Sequence, residues 1–176
     1  MTRLELEHIL RAAATIADDD EIIVIGSQAI LGQFPHAPPE LLVSNEADVY
    51  PRNREDRADL IDIGELSPFH DTYGYYAQGV GPTTAVLPRD WESRLVPIRN
   101  ENTRGATGLC LEVHDLLVSK LVAGREKDIT FARVAIARGL VDVEILRQRI
   151  ALTELSDPLR AAVESRLTTA ELPAAP

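Results

Sequence analysis

The chain has 176 residues and 45% hydrophobic side chains, which suits one compact domain and excludes a mainly disordered protein. Lys and Arg number 18 against 28 Asp and Glu, so the formal net charge is −10 and binding of nucleic acid by bulk charge is not expected. The single cysteine, Cys110, excludes an internal disulfide and a cysteine-rich zinc site. Neither a signal-like N-terminus nor a long apolar run is present, which predicts a cytoplasmic protein with no membrane segment.

The first part of the chain predicts alternating helices and strands. An apolar stripe predicts a helix over residues 4–17, and the β-branched run at 22–25 predicts a buried strand. Ser27 is expected to cap a short helix through about residue 31. A second strand is predicted at 46–50, and its alternation turns two apolar side chains inward, Ala47 and Val49.

The middle of the chain is less regular. A helix is predicted over residues 54–63 with three apolar side chains pointing inward: Leu60, Ile61 and Ile63. Strands are predicted at 84–87, 94–98 and 109–113. Aromatic residues of this region could stack on a nucleobase, but core packing is the expected role of Tyr73, Tyr75, Tyr76 and Trp91.

The last third of the chain predicts helices only. They are expected at 115–123, with Gly124 as C-cap, and at 126–138, 141–152 and 157–168. The pattern indicates an α+β protein with a single domain over residues 1–176. Its expected parts are a sheet-containing core at about 1–113, a helical part at about 114–170, and a flexible tail at 171–176.

A glycine and a serine follow the first predicted strand. Gly26 allows another group to approach the backbone closely, and a helix N-terminus after it favours phosphate. Ser27 can add one hydrogen-bond donor. The alternative is an ordinary strand-to-helix turn with a serine cap, and the pair alone favours that alternative.

Two acids lie two residues apart on the second predicted strand. Glu46 and Asp48 share one face because strand side chains alternate, and their carboxylates repel each other unless they are exposed or bind a cation. Mg²⁺ takes such oxygen ligands and leaves room for substrate phosphate. A solvated edge strand with surface acids is the alternative.

Lys120 lies late on a predicted apolar helix, and Asp128 lies in the first turn of the next one. The lysine either extends to solvent along the apolar seam or reaches a phosphate as a point charge. The aspartate stabilises the helix dipole in any case. An ion pair across the helix hairpin is the alternative to a catalytic role for the two residues.

The order of these features resembles the nucleotidyltransferase superfamily, whose core places Gly-Ser on a strand–helix turn and an acidic pair on the neighbouring strand. The chain is similar in particular to small bacterial nucleotidyltransferase-like proteins allied to the AbiEii-type toxins, including the DUF6036 branch. The segments that carry the likeness are 24–30, 44–51, 69–76, 84–88 and 111–128, of which the last is the most specific.

The resemblance implies a nucleotidyltransferase-like mixed β-sheet flanked by helices and a Mg²⁺-dependent transfer of a nucleoside monophosphate from a nucleoside triphosphate. Gly26 and Ser27 would hold phosphates, and Glu46 and Asp48 would bind Mg²⁺. Lys120 would contact the triphosphate. Asp128 would orient Lys120 or assist at the acceptor. The acceptor would be an RNA or protein hydroxyl, and the protein would act as a toxin with an antitoxin partner.

One position departs from the family pattern. Position 46 is glutamate where the usual pair is two aspartates, and Mg²⁺ is strict about octahedral geometry. Glu112 is a candidate third carboxylate and equally a surface acid. The alternative function is therefore a catalytically degenerate protein of this fold that acts as a protein–protein interaction module.

Overall fold

The computed structural model describes residues 1–172, and residues 173–176 of the predicted tail lie outside that range. The helices are α1 (Arg3–Ala17), α2 (Pro68–Tyr73), α3 (Val113–Ala123), α4 (Glu126–Ala137), α5 (Val143–Ala151) and α6 (Asp157–Glu171). The strands are β1 (Glu21–Ile25), β2 (Glu46–Pro51), β3 (Tyr76–Gly79), β4 (Val96–Ile98) and β5 (Thr107–Cys110). Short 3₁₀ helices cover Ser27–Gly32, Pro39–Leu41, Glu55–Leu60, Pro82–Thr84, Trp91–Arg94 and Glu101–Thr103.

The chain forms two compact units. The first comprises residues 1–85 and 94–112 and holds all the strands of the described chain. The second comprises residues 86–93 and the chain from Val113 onward, and up to residue 172 its regular structure is helical. That the chain is a single domain stays a prediction.

The sheet of the first unit has the order β3-β2-β1-β5-β4. β1 pairs antiparallel with β2 and parallel with β5, β2 pairs parallel with β3, and β4 pairs antiparallel with β5. The predicted α+β class with a mixed sheet, flanking helices and C-terminal helices is confirmed. Because of these directions, the ends of β1 and β5 and the starts of β2 and β3 lie at the same edge of the sheet.

Much of the core of the first unit lies between α1 and one face of the sheet, and the other face also carries buried side chains, among them Ile23, Ile25 and Tyr50. On α1 the fully buried side chains recur at helical spacing, and on the sheet they alternate along the strands: Leu6, Ile9, Leu10, Ala13, Ile22, Val24, Ala47, Val49 and Ala77. A side chain at Gly108 of β5 would overlap Leu10, so α1 packs directly on the sheet at this point. Thr2 and Glu5 form a capping box that starts α1.

Asp19 links the turn between α1 and β1 to the segment after β2 through hydrogen bonds. Its buried carboxylate accepts hydrogen bonds from the backbone N–H groups of Glu21, Asn53 and Arg54 and from the Asn53 side-chain amide. Burial would raise the pKa of Asp19, but these hydrogen bonds outweigh it and lower the pKa below its ordinary value.

The second unit is built from α3 to α6. α3 packs on α4, α5 and α6, and α4 also packs on α6. Their facing apolar side chains are almost fully buried: Leu116, Leu117, Leu121, Leu146, Ile150, Val163 and Leu167. The predicted C-cap at Gly124 is confirmed, because this residue has φ +66° and its N–H donates to the Lys120 carbonyl.

Two of the predicted helical segments differ from the structure. The segment after β1 is a 3₁₀ helix whose cap residue is Gly26, so the prediction that Ser27 is the N-cap is wrong. The segment predicted as a helix over 54–63 is a 3₁₀ helix over Glu55–Leu60. Ile61 and Ile63 are buried as predicted, but Leu60 is 54% exposed.

The predicted strand at 84–87 is absent, because Thr84 ends a 3₁₀ helix and Val86 is 41% exposed with no partner strand. The strand predicted at 109–113 is shorter and earlier as β5, since Val113 already begins α3. The prediction that the aromatic residues fill the core is also wrong, since Tyr73 is exposed and Tyr75, Tyr76 and Trp91 are only half-buried.

Candidate functional site

Gly26 and Asp48 are in contact at the edge of the sheet where β1 ends. Gly26 has φ +69° and ψ −171°, a backbone conformation that only glycine adopts readily. A Cβ atom at this position would overlap the Asp48 carboxylate. The β1–β2 register pairs Ile25 with Asp48, which sets the carboxylate beside the glycine. Two of the predicted site residues, Gly26 and Asp48, are therefore brought together.

Glu46 and Asp48 lie on one face of β2, as the sequence predicts. Both are half-buried, whereas Ala47 and Val49 point to the opposite face and are buried. Two carboxylates on the same face repel each other, and a bound cation would relieve that repulsion.

The turn that carries Ser27 is tied to the start of β2. The Gln28 side-chain amide donates to the Ser44 carbonyl at 2.9 Å, and the Glu46 N–H donates to the Ser44 hydroxyl at 3.1 Å. Gln28 is fully buried, and its Oε1 atom has no hydrogen-bond partner. Gln28 thereby holds the segment that precedes Glu46. Sequence reasoning missed this residue, although a glutamine within an otherwise apolar turn is a usable signal.

The acidic pair fits a metal that is shared with a substrate. Among residues 1–172 no three His, Cys, Asp or Glu side chains converge to form a metal site by themselves. Mg²⁺ is commonly held by one or two carboxylates together with substrate phosphates and water, so a pair is sufficient. Glu112 follows β5 at the same sheet edge and is half-buried, but it does not complete such a three-residue cluster.

Tyr76 of β3 is a neighbour of the acidic pair that sequence reasoning did not place there. The β2–β3 register pairs Glu46 with Tyr76 and Asp48 with Gln78. Burial raises the pKa of Tyr76, and the charges of Glu46, Glu65 and Asp48 raise it further. Tyr76 therefore lies within electrostatic reach of both carboxylates of the acidic pair.

In the second unit, Lys120 of α3 and Asp128 of α4 form a buried ion pair, with 3.2 Å between Nζ and Oδ1. Arg125 Nε lies 2.6 Å from the other Asp128 oxygen. Lys120 Nζ also lies 4.5 Å from the centroid of the Phe131 ring. The ion pair across the helix hairpin is confirmed, and a contact of Lys120 with triphosphate stays a prediction.

The ionisation of this pair is set by competing effects. Burial lowers the pKa of Lys120, and Asp128 opposes that shift. For Asp128 burial would raise the pKa, but the hydrogen bond from Arg125 and the charge of Lys120 outweigh it and lower the pKa. Asp128 is therefore ionised at neutral pH, although its side chain is fully buried.

The comparison with protein families gives one match. The family described as "Nucleotidyltransferase of unknown function (DUF6036)" matches residues 4–168, which is nearly the whole chain. No curated protein and no solved structure matches significantly. Within residues 1–172, none of the helices is long and apolar enough to cross a membrane.

Proposed function

Because the chain belongs to the DUF6036 family of nucleotidyltransferases of unknown function, we propose that it transfers a nucleoside monophosphate from a nucleoside triphosphate to a hydroxyl of an RNA or a protein. In its most specific form the proposal includes a toxin role, with an antitoxin protein as partner.

The contact between Gly26 and Asp48 carries this proposal. The backbone conformation of Gly26 requires glycine by itself, but an ordinary strand-to-helix turn does not also need room for a carboxylate against that residue. Such room allows the Asp48 carboxylate to lie close to backbone that would receive a phosphate. Ser27 follows immediately and offers a hydroxyl donor to that phosphate.

Glu46 and Asp48 would hold Mg²⁺, which neutralises phosphate charge and orients the triphosphate when it is bound. The acceptor hydroxyl oxygen forms a bond with the α-phosphorus while the bond from that phosphorus to the bridging oxygen breaks. Pyrophosphate leaves, and the hydroxyl proton passes to solvent. The chain mainly positions groups and balances charge in such a reaction.

We assign Lys120 a separate role as a point charge for triphosphate, with Asp128 as its orienting partner. The short distance from Lys120 Nζ to Asp128 Oδ1 supports the orienting role. The burial of Lys120 favours the simpler alternative, a structural ion pair. Measurements on Lys120 variants separate the two roles.

The test of the proposed function is thermal unfolding with each nucleoside triphosphate, with and without Mg²⁺, for the wild type, Asp48→Asn and the matched control Asp59→Asn. Asp59 is an exposed acid on the 3₁₀ helix after β2. A ligand at about a hundred times its dissociation constant adds roughly 2.7 kcal/mol, which raises the midpoint by roughly 5–10 °C. We expect this Mg²⁺-dependent rise in the wild type and Asp59→Asn, and its loss in Asp48→Asn.

The nucleotide that raises the unfolding midpoint is then incubated, with a labelled α-phosphate, with the protein and candidate RNA or protein acceptors. Transfer of the label to RNA or protein, with release of pyrophosphate, identifies the class of acceptor. No midpoint rise with any nucleotide would contradict the enzyme and support the interaction module.

A further inference from the structure

An aromatic pair lies beside the proposed metal and phosphate residues. The rings of His70 and Tyr76 have centroids 4.6 Å apart and planes inclined by 50°. Tyr76 is the β3 residue paired with Glu46, and neighbouring strands lie about 4.8 Å apart. The aromatic pair is therefore adjacent to the acidic pair in the same unit.

Tyr76 projects from the same face of the sheet as the carboxylates. Paired residues of adjacent strands share a face, so Glu46 and Tyr76 lie on one side and Ala47 and Ala77 lie on the other. Ala47 and Ala77 are buried on the α1 side, whereas Tyr76 and Glu46 are half-buried.

A hydrogen bond from the backbone restrains the orientation of the His70 ring before any ligand binds. The backbone N–H of Leu66 donates to His70 Nδ1 at 3.1 Å, and this bond restrains the ring next to Tyr76. A platform that is already ordered loses little conformational entropy when a flat ligand stacks on it.

The other aromatic side chains of this region form a separate cluster. His8 of α1 hydrogen-bonds to the Tyr75 hydroxyl at 2.8 Å, and its ring packs against Phe69 and Tyr73. Tyr75 precedes Tyr76 in the chain, and it contacts α1 through His8. The rings of this His8 cluster therefore pack against α1. Tyr76 instead lies on the sheet face that carries the acidic pair.

We propose that Tyr76 and His70 form the stacking platform for the base of the nucleotide whose phosphates lie at Gly26, Glu46 and Asp48. This inference rests on the proposed function and deepens it by assigning the base subsite. A π-face is common to all bases, so the platform accepts any of the four and discriminates weakly among them.

The experiment is calorimetric titration with Mg²⁺ and each of ATP, GTP, CTP and UTP, compared with Mg²⁺ and inorganic tripolyphosphate, which has no base. The variants are Tyr76→Ala, Tyr76→Phe and the control Tyr73→Ala, which removes a 49% exposed ring from the His8 cluster. We expect Tyr76→Ala to weaken binding of all four nucleotides by roughly 5- to 150-fold. Tripolyphosphate affinity should not change, and Tyr76→Phe and Tyr73→Ala should bind like the wild type.

Two results would overturn the base subsite while the proposed function survives: Tyr76→Ala binding nucleotides as tightly as the wild type, or losing tripolyphosphate to the same extent as nucleotides. A wild type that binds none of the four nucleotides would overturn the proposed function and the subsite together. The wild-type titration thus distinguishes the two failures.

Discussion

At position 26 the backbone and a neighbouring carboxylate both require glycine. In Gly26→Ala the strained backbone conformation would lower the free energy of unfolding by about 1–3 kcal/mol, and the new methyl group would displace the Asp48 carboxylate. We expect a lower free energy of unfolding and a lost midpoint shift with Mg²⁺ and nucleotide. Both are measured by unfolding with and without ligand.

Gly74→Ala is the matched control for this change. Gly74 also has positive φ, +76°, but a Cβ atom there would meet nothing within 4 Å. Its variant should lose some stability and keep the ligand-dependent shift. A Gly26→Ala protein that keeps the shift would show that the contact with Asp48 has no role in binding.

Asp19 predicts a dependence of stability on pH. Its pKa is lowered in the folded chain, so its contribution is fully present above the ordinary aspartate pKa of 3.8 and is lost as the pH falls through the folded pKa. Asp19→Asn places an amide donor against backbone donors and should cost roughly 1–3 kcal/mol at pH 7. Urea unfolding at pH 7, 5, 4 and 3 measures both effects.

Asp20→Asn, at an exposed neighbouring position, is the control. The stability of Asp20→Asn should follow the wild type as the pH falls, whereas Asp19→Asn should lose less stability below pH 4 than the wild type. Parallel curves for the wild type and Asp19→Asn would refute the assignment.

Among the elements, the α3–α4 hairpin should respond unequally to the loss of either partner of its ion pair. Asp128→Ala leaves the buried Lys120 ammonium without its counter-ion and should cost about 3–5 kcal/mol. Lys120→Met leaves Asp128 with Arg125 and places an apolar chain near Phe131, so it should cost under about 1.5 kcal/mol.

Urea unfolding measures this asymmetry, and equal costs would contradict it. The Lys120→Met protein then serves the functional question, because it is expected to remain folded. Loss of tripolyphosphate binding in this variant would support a phosphate contact. Unchanged binding would leave the lysine with a structural role only.

The elements that could be predicted are those whose signals are local. The β-branched run of β1 and the alternation in β2 depend only on neighbouring residues, and both strands are confirmed. The face shared by Glu46 and Asp48 follows from the same alternation. The segment at 84–87 has the same composition as a strand but has no partner in the sheet, and pairing is a non-local property.

The site residues that sequence reasoning missed depend on contacts between distant segments. Tyr76 lies beside Glu46 only because β3 adds to β2 in one register, and Gln28 is important only because its amide reaches Ser44. The Lys120–Asp128 pair was foreseeable, since consecutive helices joined by a glycine turn bring their facing side chains together.

For the whole molecule, the net charge of −10 constrains how an RNA acceptor binds. Contacts between the protein and RNA phosphates are expected to be few. A plot of the logarithm of the affinity for single-stranded RNA against the logarithm of the salt concentration should therefore have a slope no steeper than about −2, the value for roughly three contacts. That slope corresponds to a loss of roughly 20-fold between about 50 and 200 mM salt.

Fluorescence anisotropy of a labelled RNA measures this slope, with nucleotide-dependent unfolding at the same salt concentrations as the control. A much steeper slope would show a basic surface that the overall charge conceals. RNA binding that is absent at low salt would direct the search to a protein hydroxyl.

The sheet order has a consequence for synthesis on the ribosome. β1 is the central strand, and one of its two edges pairs with β5, with Val24 opposite Cys110. This edge of β1 has no partner until the chain has been synthesised past β5. At about 5–20 residues per second, the delay is roughly 4–17 seconds. During that interval a nascent chain exposes an apolar strand edge of the kind that other strands join. A chaperone that shields β1 until β5 emerges would therefore raise the yield of folded protein.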